Sequence, residues 1–160
     1  MKLSAGKILI ATNKMDDPSF KNCIVFIAEH NEAGALGLVI NKVFERSLNA
    51  LAEFSQCPAF PLFAGGPVDK EHLFFIHRRP DLIAGGSDTG GGIYYGGDFA
   101  SAIAHIQQHS LDEAAIKICI GYCGWDTGEL EEEIAEGSWR LEDVAADIIF
   151  ARNPALFVGR

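Results

Sequence analysis

The sequence predicts an α+β fold in a single compact domain, with a large mixed, mostly antiparallel β-sheet flanked by short helices. Three observations predict this class. The chain has 160 residues, a length that suits one domain with a substantial core. Short β-branched apolar runs dominate its first half, whereas most helical patterns lie in the second half. No repeat, linker or low-complexity segment divides it, so we expect residues 1–160 to form the one domain.

Strands joined by short turns are predicted for the first third of the chain. The runs Lys7 to Ala11 and Asn22 to Ala28 lack strict alternation, which predicts burial on both faces. Leu36 to Asn41 follows a short polar link and is predicted to form an antiparallel hairpin with the second run. Ser47 is placed to cap a short helix from Leu48 to Phe54. The inner face of that helix would carry Leu48, Leu51 and Ala52.

Glycine and proline mark the bends in the middle of the chain. Strands are predicted at Phe60 to Ala64 and His72 to His77, with a Gly-Gly-Pro bend between them. Pro61 puts the first of these at a sheet edge or a strand start, because proline has no N–H to donate. Seven glycines between Gly85 and Gly97 exclude a helix there. We expect a loop from Gly85 to Gly92, a strand from Ile93 to Tyr95 and a Gly96-Gly97 turn.

The remaining elements alternate between helix and strand. Asp98 is predicted to cap a helix from Phe99 to Gln108. Ala115 to Gly121 is predicted as a central strand that leads into a turn. Asp126 and Glu129 form a capping-box pattern at the start of the next helix. That helix is predicted from Gly128 to Glu136, followed by a strand from Trp139 to Leu141 and a helix from Val144 to Phe150.

The charge of the chain is uneven. The formal net charge is -9, and the segment from Asp126 to Asp147 holds nine acidic residues against one basic residue. Direct binding to duplex DNA is therefore not expected, because it depends on lysines and arginines that neutralise phosphates. The sequence has no apolar run long enough for a membrane span and no secretory leader, so we expect a cytoplasmic location and no membrane partner. The four cysteines are expected to be reduced and buried.

Familiar catalytic and cofactor signatures are absent. The glycine-rich region has neither the GxGxxG nor the P-loop pattern, and no GxSxG motif occurs. His105 and His109 could share a helix face, but no third ligand accompanies them, and a histidine at a helix end also serves as a dipole partner. Cys123 precedes a helix N-terminus, which favours a reactive thiol, although nearby carboxylates oppose one. We therefore predict no metal and no cofactor.

A series of short motifs runs along nearly the whole chain. In order, the motifs are Lys7 to Ala11, Asp17 to Phe20, Glu29-His30, Gly34 to Asn41, Gly65 to Val68, Leu73 to His77, Tyr95 to Asp98, Gly121 to Trp125 and Gly128 to Glu131. This order resembles that of the AlgH/YqgE family of bacterial proteins, with departures at Asn13, at Lys42-Val43 and at Cys123. The resemblance implies a compact α+β fold with a large mixed sheet, and it implies no agreed activity. Some members are described as transcriptional regulators of exopolysaccharide production.

The functional expectation is a non-catalytic binding or regulatory protein with an unknown protein or small-molecule partner. The alternative is an enzyme of unknown reaction, with a cleft built from His30, Asn41, the Gly-Gly-Pro turn and the segment from Tyr122 to Glu131. That segment is equally consistent with a purely structural role, in which Trp125 packs and the carboxylates cap a helix. The candidate functional residues are His30, Asn41, Gly65, Gly66, Pro67, His77, Asp98, Tyr122, Gly124, Trp125 and Glu129.

Overall fold

A nine-stranded sheet forms the centre of the computed structural model, which describes residues 1–154. The strands are β1 (Ile8–Ala11), β2 (Ile24–Asn31), β3 (Gly34–Val39), β4 (Leu62–Ala64), β5 (Val68–His77), β6 (Ser87–Asp88), β7 (Tyr94–Tyr95), β8 (Ile116–Asp126) and β9 (Trp139–Glu142). Their spatial order is β6-β7-β5-β8-β3-β2-β1-β9, and β4 pairs with β8 in parallel, whereas the other pairs are antiparallel. The predicted α+β class with a mixed, mostly antiparallel sheet is confirmed.

The helices in residues 1–154 are short: α1 (Phe99–Gln107), α2 (Glu129–Ala135) and α3 (Ala146–Phe150). Asp98 caps α1 as predicted, because its carboxylate accepts hydrogen bonds from the N–H groups of Ala100 and Ser101 at 3.1 and 3.4 Å. The last predicted helix starts two residues later than expected. None of the helices described combines the length and apolar character that a bilayer crossing requires.

The helix predicted from Leu48 to Phe54 is wrong. Two 3₁₀ turns, Leu48–Ala50 and Ala52–Phe54, replace it, and Leu51 between them has an extended backbone. The Ser47 side chain bonds to Asn49 at 2.5 Å and makes no capping hydrogen bond to the backbone, so the helical start that the sequence pattern predicted is missing. Leu48 is buried, but Ala52 is exposed.

Both faces of β1 and of the first half of β2 are covered. Ile8 and Ile10 join one buried cluster with Phe26, whereas Leu9 and Ala11 join another on the opposite face. The predicted burial of these runs is therefore confirmed, as is the antiparallel hairpin of β2 with β3.

Strand β8 pairs with three other strands, β3, β4 and β5. Its first part, Ile116 to Ile120, pairs with β4 and β5, whereas Cys123 to Asp126 pairs with β3. The predicted end of this strand at Gly121 is wrong, because pairing with β3 carries it to Asp126.

The start of α2 also differs from the sequence prediction. Gly128, with a φ of +80°, is the N-cap, so the predicted capping role of Asp126 is wrong. The other half of the capping box is present, since the Glu129 carboxylate accepts the N–H of Asp126 at 2.5 Å.

Candidate functional site

His30 and Asn41 lie in separate places and each serves a neighbouring segment. On β2, His30 Nε2 lies 3.2 Å from the carboxylate of Glu131 on α2. The Asn41 side chain accepts the N–H of Ile24 at 2.9 Å and donates to the carbonyl of Asn22 at 2.8 Å. Asn41 thus fixes the chain at the start of β2.

The Gly65-Gly66-Pro67 bend packs directly on the backbone of β8. A Cβ atom at Gly65 would lie 2.4 Å from the carbonyl oxygen of Gly121, and one at Gly66 would lie 2.2 Å from the carbonyl carbon of Tyr122. Such contacts exclude any side chain, so these two glycines are required by the crossing of two backbones.

His77 is fully buried in β5 and is held in one tautomer. Its Nε2 donates to the carbonyl of Gly96 at 3.1 Å, and its Nδ1 accepts the N–H of Arg79 at 3.1 Å. The ring stacks between Phe75 and Tyr94. Burial lowers the pKa of His77, which favours the neutral ring. With both nitrogens bonded to backbone, the imidazole has none left for a substrate.

Trp125 belongs to an aromatic cluster with Phe20 and Trp139. Both indole N–H groups donate to the same oxygen of Glu133, at 3.1 and 2.9 Å, and the Phe20 ring centroid lies 6.3 and 5.7 Å from those of Trp125 and Trp139. Glu133 therefore joins α2 to the two tryptophans of the sheet, and Phe20 from the loop before β2 packs against the same two rings.

The shared acceptor gives a stability prediction. Replacing Glu133 by Ala leaves two buried indole N–H groups without a partner, so we expect the free energy of unfolding in urea to fall by about 2 kcal/mol. Glu133→Gln keeps an amide oxygen at the same place and should cost less than half as much. Equal losses in the two variants would contradict this role.

The candidate residues do not share one cleft. Gly66 and Pro67 line a cleft of about 340 Å³, whereas Tyr122, Gly124 and Trp125 line another of about 280 Å³ together with acidic side chains. Asp98 and Glu129 serve the starts of α1 and α2. The part that these candidates play in function stays a prediction.

A larger cleft of about 760 Å³ lies between the two 3₁₀ turns, β5 and the start of α1. We call it the apolar groove. Its apolar lining includes partly buried side chains, and the Phe99 ring lies 5.8 Å from that of Phe54 and 5.2 Å from that of Phe75. The larger apolar side chains in its lining are Leu51, Phe54, Leu73, Phe75, Phe99 and Ile120.

Charged side chains surround the apolar groove. Both signs are present, since Arg46 and Lys70 line the groove together with Glu53 and Glu71. His72 belongs to the same rim, and its Nδ1 lies 2.6 Å from the carboxylate of Asp69, which raises the pKa of the imidazole. This side chain is 71% exposed. An apolar lining with a mixed polar rim is suited to binding.

The sequence contained partial signals for this groove. The odd spacing of His72 and His77 predicts that the two face opposite ways, and one is indeed exposed at the groove while the other is buried. Leu51 and Phe99 were recognisable as apolar positions of predicted helices. No local pattern indicates that the two segments carrying them leave a gap between them.

Other chemistry is limited in the described residues. No group of three or more His, Cys, Asp or Glu side chains there is arranged to hold a metal ion. The four cysteines are free and buried, and burial raises the pKa of the Cys123 thiol. The Cys123 Sγ donates to the carbonyl of Gly65 at 3.4 Å. This environment disfavours the thiolate that a reactive cysteine needs.

Comparisons with known proteins agree on one family. A family model described as AlgH-like matches residues 8–158. A UPF0301 protein of Chlorobium phaeobacteroides is 35% identical over 151 residues, covering 94% of this chain and 80% of that protein. A UPF0301 protein of Cytophaga hutchinsonii is 34% identical over 153 residues, covering 95% of this chain and 84% of that protein.

Solved structures show the same architecture. The solution structure of AlgH from Pseudomonas aeruginosa has a TM-score of 0.77 and 28% identity, covering 96% of this chain and 86% of that one. A crystal structure of a protein from Corynebacterium diphtheriae has a TM-score of 0.73 at 18% identity, covering 97% of this chain and 82% of that one, which shows likeness of fold alone.

Proposed function

The chain belongs to the AlgH-like family, and we propose that it is a non-catalytic binding protein that holds an apolar ligand, or an apolar segment of a partner protein, in the apolar groove. One observation carries this proposal: the groove offers about 760 Å³ of space lined by aromatic and aliphatic side chains. Covering those side chains removes apolar surface from water, which contributes about 25 cal/mol for each Å².

Binding receives more support than catalysis. Among residues 1–154, no Ser, Thr or Cys side chain lines the apolar groove, and the exposed His72 imidazole lacks the desolvation that tunes many catalytic groups. The alternative of an enzyme built on the sequence-predicted residues receives less support, because those residues lie apart and several are engaged with backbone. In this proposal, regulation by the protein depends on the ligand or partner segment bound in the apolar groove, not on direct contact with duplex DNA. The proposed location is the cytoplasm, where the four cysteines would stay reduced.

A neutral fluorescent probe tests the proposal. We expect N-phenyl-1-naphthylamine, which carries no charge, to bind the folded protein saturably and to brighten on binding. Leu51→Glu places a carboxylate in the groove and should weaken binding at least about tenfold, because burying an unpaired charge is costly. Ala33→Glu adds the same charge at an exposed position in another cleft and should leave binding unchanged. Equal binding by both variants would refute the proposal.

A further inference from the structure

A smaller cleft beside the loop before β2 gathers positive charge. Its volume is about 340 Å³, and its lining includes Lys21 from that loop, Lys42 just after β3 and Lys70 from β5. We call it the basic cleft. No Asp or Glu is among its lining residues, and within residues 1–154 none of the three lysines forms an ion pair with a carboxylate.

Two carboxylates that are near these lysines in the sequence accept hydrogen bonds from other groups. Asp17 accepts the N–H of Ser19 at 2.9 Å, and Asp69 is held by His72 at 2.6 Å. Other cations of the chain do have carboxylate partners, among them Lys7 with Asp143 at 3.0 Å. Three lysines on one cleft whose described lining contains no carboxylate are a local concentration of positive charge in a chain of net charge -9.

The floor of the basic cleft is held in place by the fold. Cys23 and Val39 are 2% and 3% exposed, and the Val39 N–H donates to the carbonyl of Gly65 at 2.9 Å. The Ser19 hydroxyl on the wall makes no hydrogen bond within the described part of the chain, so it can donate to a ligand. A low-dielectric floor under clustered charges of one sign concentrates the potential in the cleft.

We propose that the basic cleft binds a small polyanion, a molecule of metabolite size that carries two or more phosphate or carboxylate charges. Lysine ammonium groups and a hydroxyl are suitable donors to such oxygens, and hydrogen bonds between ions are stronger than neutral ones. A volume of about 340 Å³ accommodates a small molecule. Nucleic acid is disfavoured, because a duplex needs a longer basic surface than three lysines supply.

The test is a titration of the isotope-labelled full chain with pyrophosphate and with citrate at low salt, followed by amide chemical shifts. We expect saturable shifts at Ser19, Lys42 and Gly66, and affinity that falls as NaCl is added. The stronger of the two probes identifies phosphate or carboxylate as the preferred group. The double variant Lys21→Gln/Lys42→Gln should bind about tenfold more weakly, whereas Lys14→Gln, which removes an exposed lysine outside the cleft, should bind normally.

Two results would overturn the proposal. One is the absence of saturable shifts with both probes, including the case in which only an acidic polypeptide binds. The other is equal affinity in the double variant and in Lys14→Gln. The groove variant Leu51→Glu should bind the polyanion as the unmodified protein does, so a failure of this proposal can be told apart from a failure of the apolar groove.

Discussion

Replacing Gly121 by Ala is expected to lower the free energy of unfolding by about 4 kcal/mol. Gly121 has a φ of +73°, a conformation in which an L side chain is strained. An added Cβ would also lie 2.4 Å from the carbonyl oxygen of Gly66 and 2.9 Å from that of Val68. Both oxygens belong to backbone and cannot rotate away as a side chain would. In a chain of this size the melting temperature should fall by about 10 °C.

Gly124→Ala is the matched control for this substitution. Gly124 lies on the same strand, has an ordinary φ, and a Cβ there would meet only an atom of the Tyr122 ring at 3.5 Å. We expect its unfolding free energy to stay within about 1 kcal/mol of the unmodified protein. Comparable urea midpoints for the two variants would contradict the backbone crossing as the reason for glycine at position 121.

Lys117 is expected to make stability rise with pH between about 8 and 10.5. The side chain is 2% exposed on β8, and burial lowers the pKa of its ammonium group to about 8. Its Nζ donates to the carbonyls of Ile40 and Ala151 at 2.9 and 2.8 Å and lies 4.3 Å from the centre of the Phe63 ring. These contacts hold the ammonium group where no carboxylate within residues 1–154 pairs with it.

The free energy of unfolding rises with pH in this range because the unfolded chain binds more protons than the folded chain. Between pH 8 and 10.5 the unfolded chain holds the Lys117 proton and the folded chain has lost it, so folding is weakened as the pH falls through this range. The full effect is about 3 kcal/mol. It should appear as the difference between the urea unfolding free energies of the unmodified protein and Lys117→Met. Burial also raises the pKa values of Tyr95 and Cys119 to about 12, but both groups are present in the two proteins. Parallel pH profiles would contradict the prediction.

The elements that could be predicted from the sequence are those whose signals lie within a few consecutive residues. The apolar runs of β1, β2 and β3 and the Asp98 cap of α1 carry their signals within a few positions. The segment from Tyr122 to Trp125 does not. Gly124 and the preceding Gly121 are typical of a turn, yet pairing with β3 keeps Cys123 to Asp126 extended, and that partner lies more than eighty residues away.

The candidate site was less predictable for the same physical reason. Residues such as Asn41 and His77 have the chemistry of functional groups, and the structure holds them by hydrogen bonds to backbone groups that no local sequence pattern identifies. The apolar groove is a gap between 3₁₀ turns, a strand and a helix, so no single segment encodes it. The lysines of the basic cleft are likewise separated by more than twenty residues each and meet only after folding.

Amide chemical-shift mapping tests most directly whether the apolar groove is the binding surface. Isotope-labelled protein is titrated with N-phenyl-1-naphthylamine, and the shifts are placed on the structure. We predict that they cluster on Leu51 to Phe54, on Leu73 to Phe75 and around Phe99, which together line the groove. Two results would contradict this prediction: shifts concentrated on Glu29 to Leu36 and Tyr122 to Asp126, which border the cleft of about 280 Å³, or no saturable shifts at all.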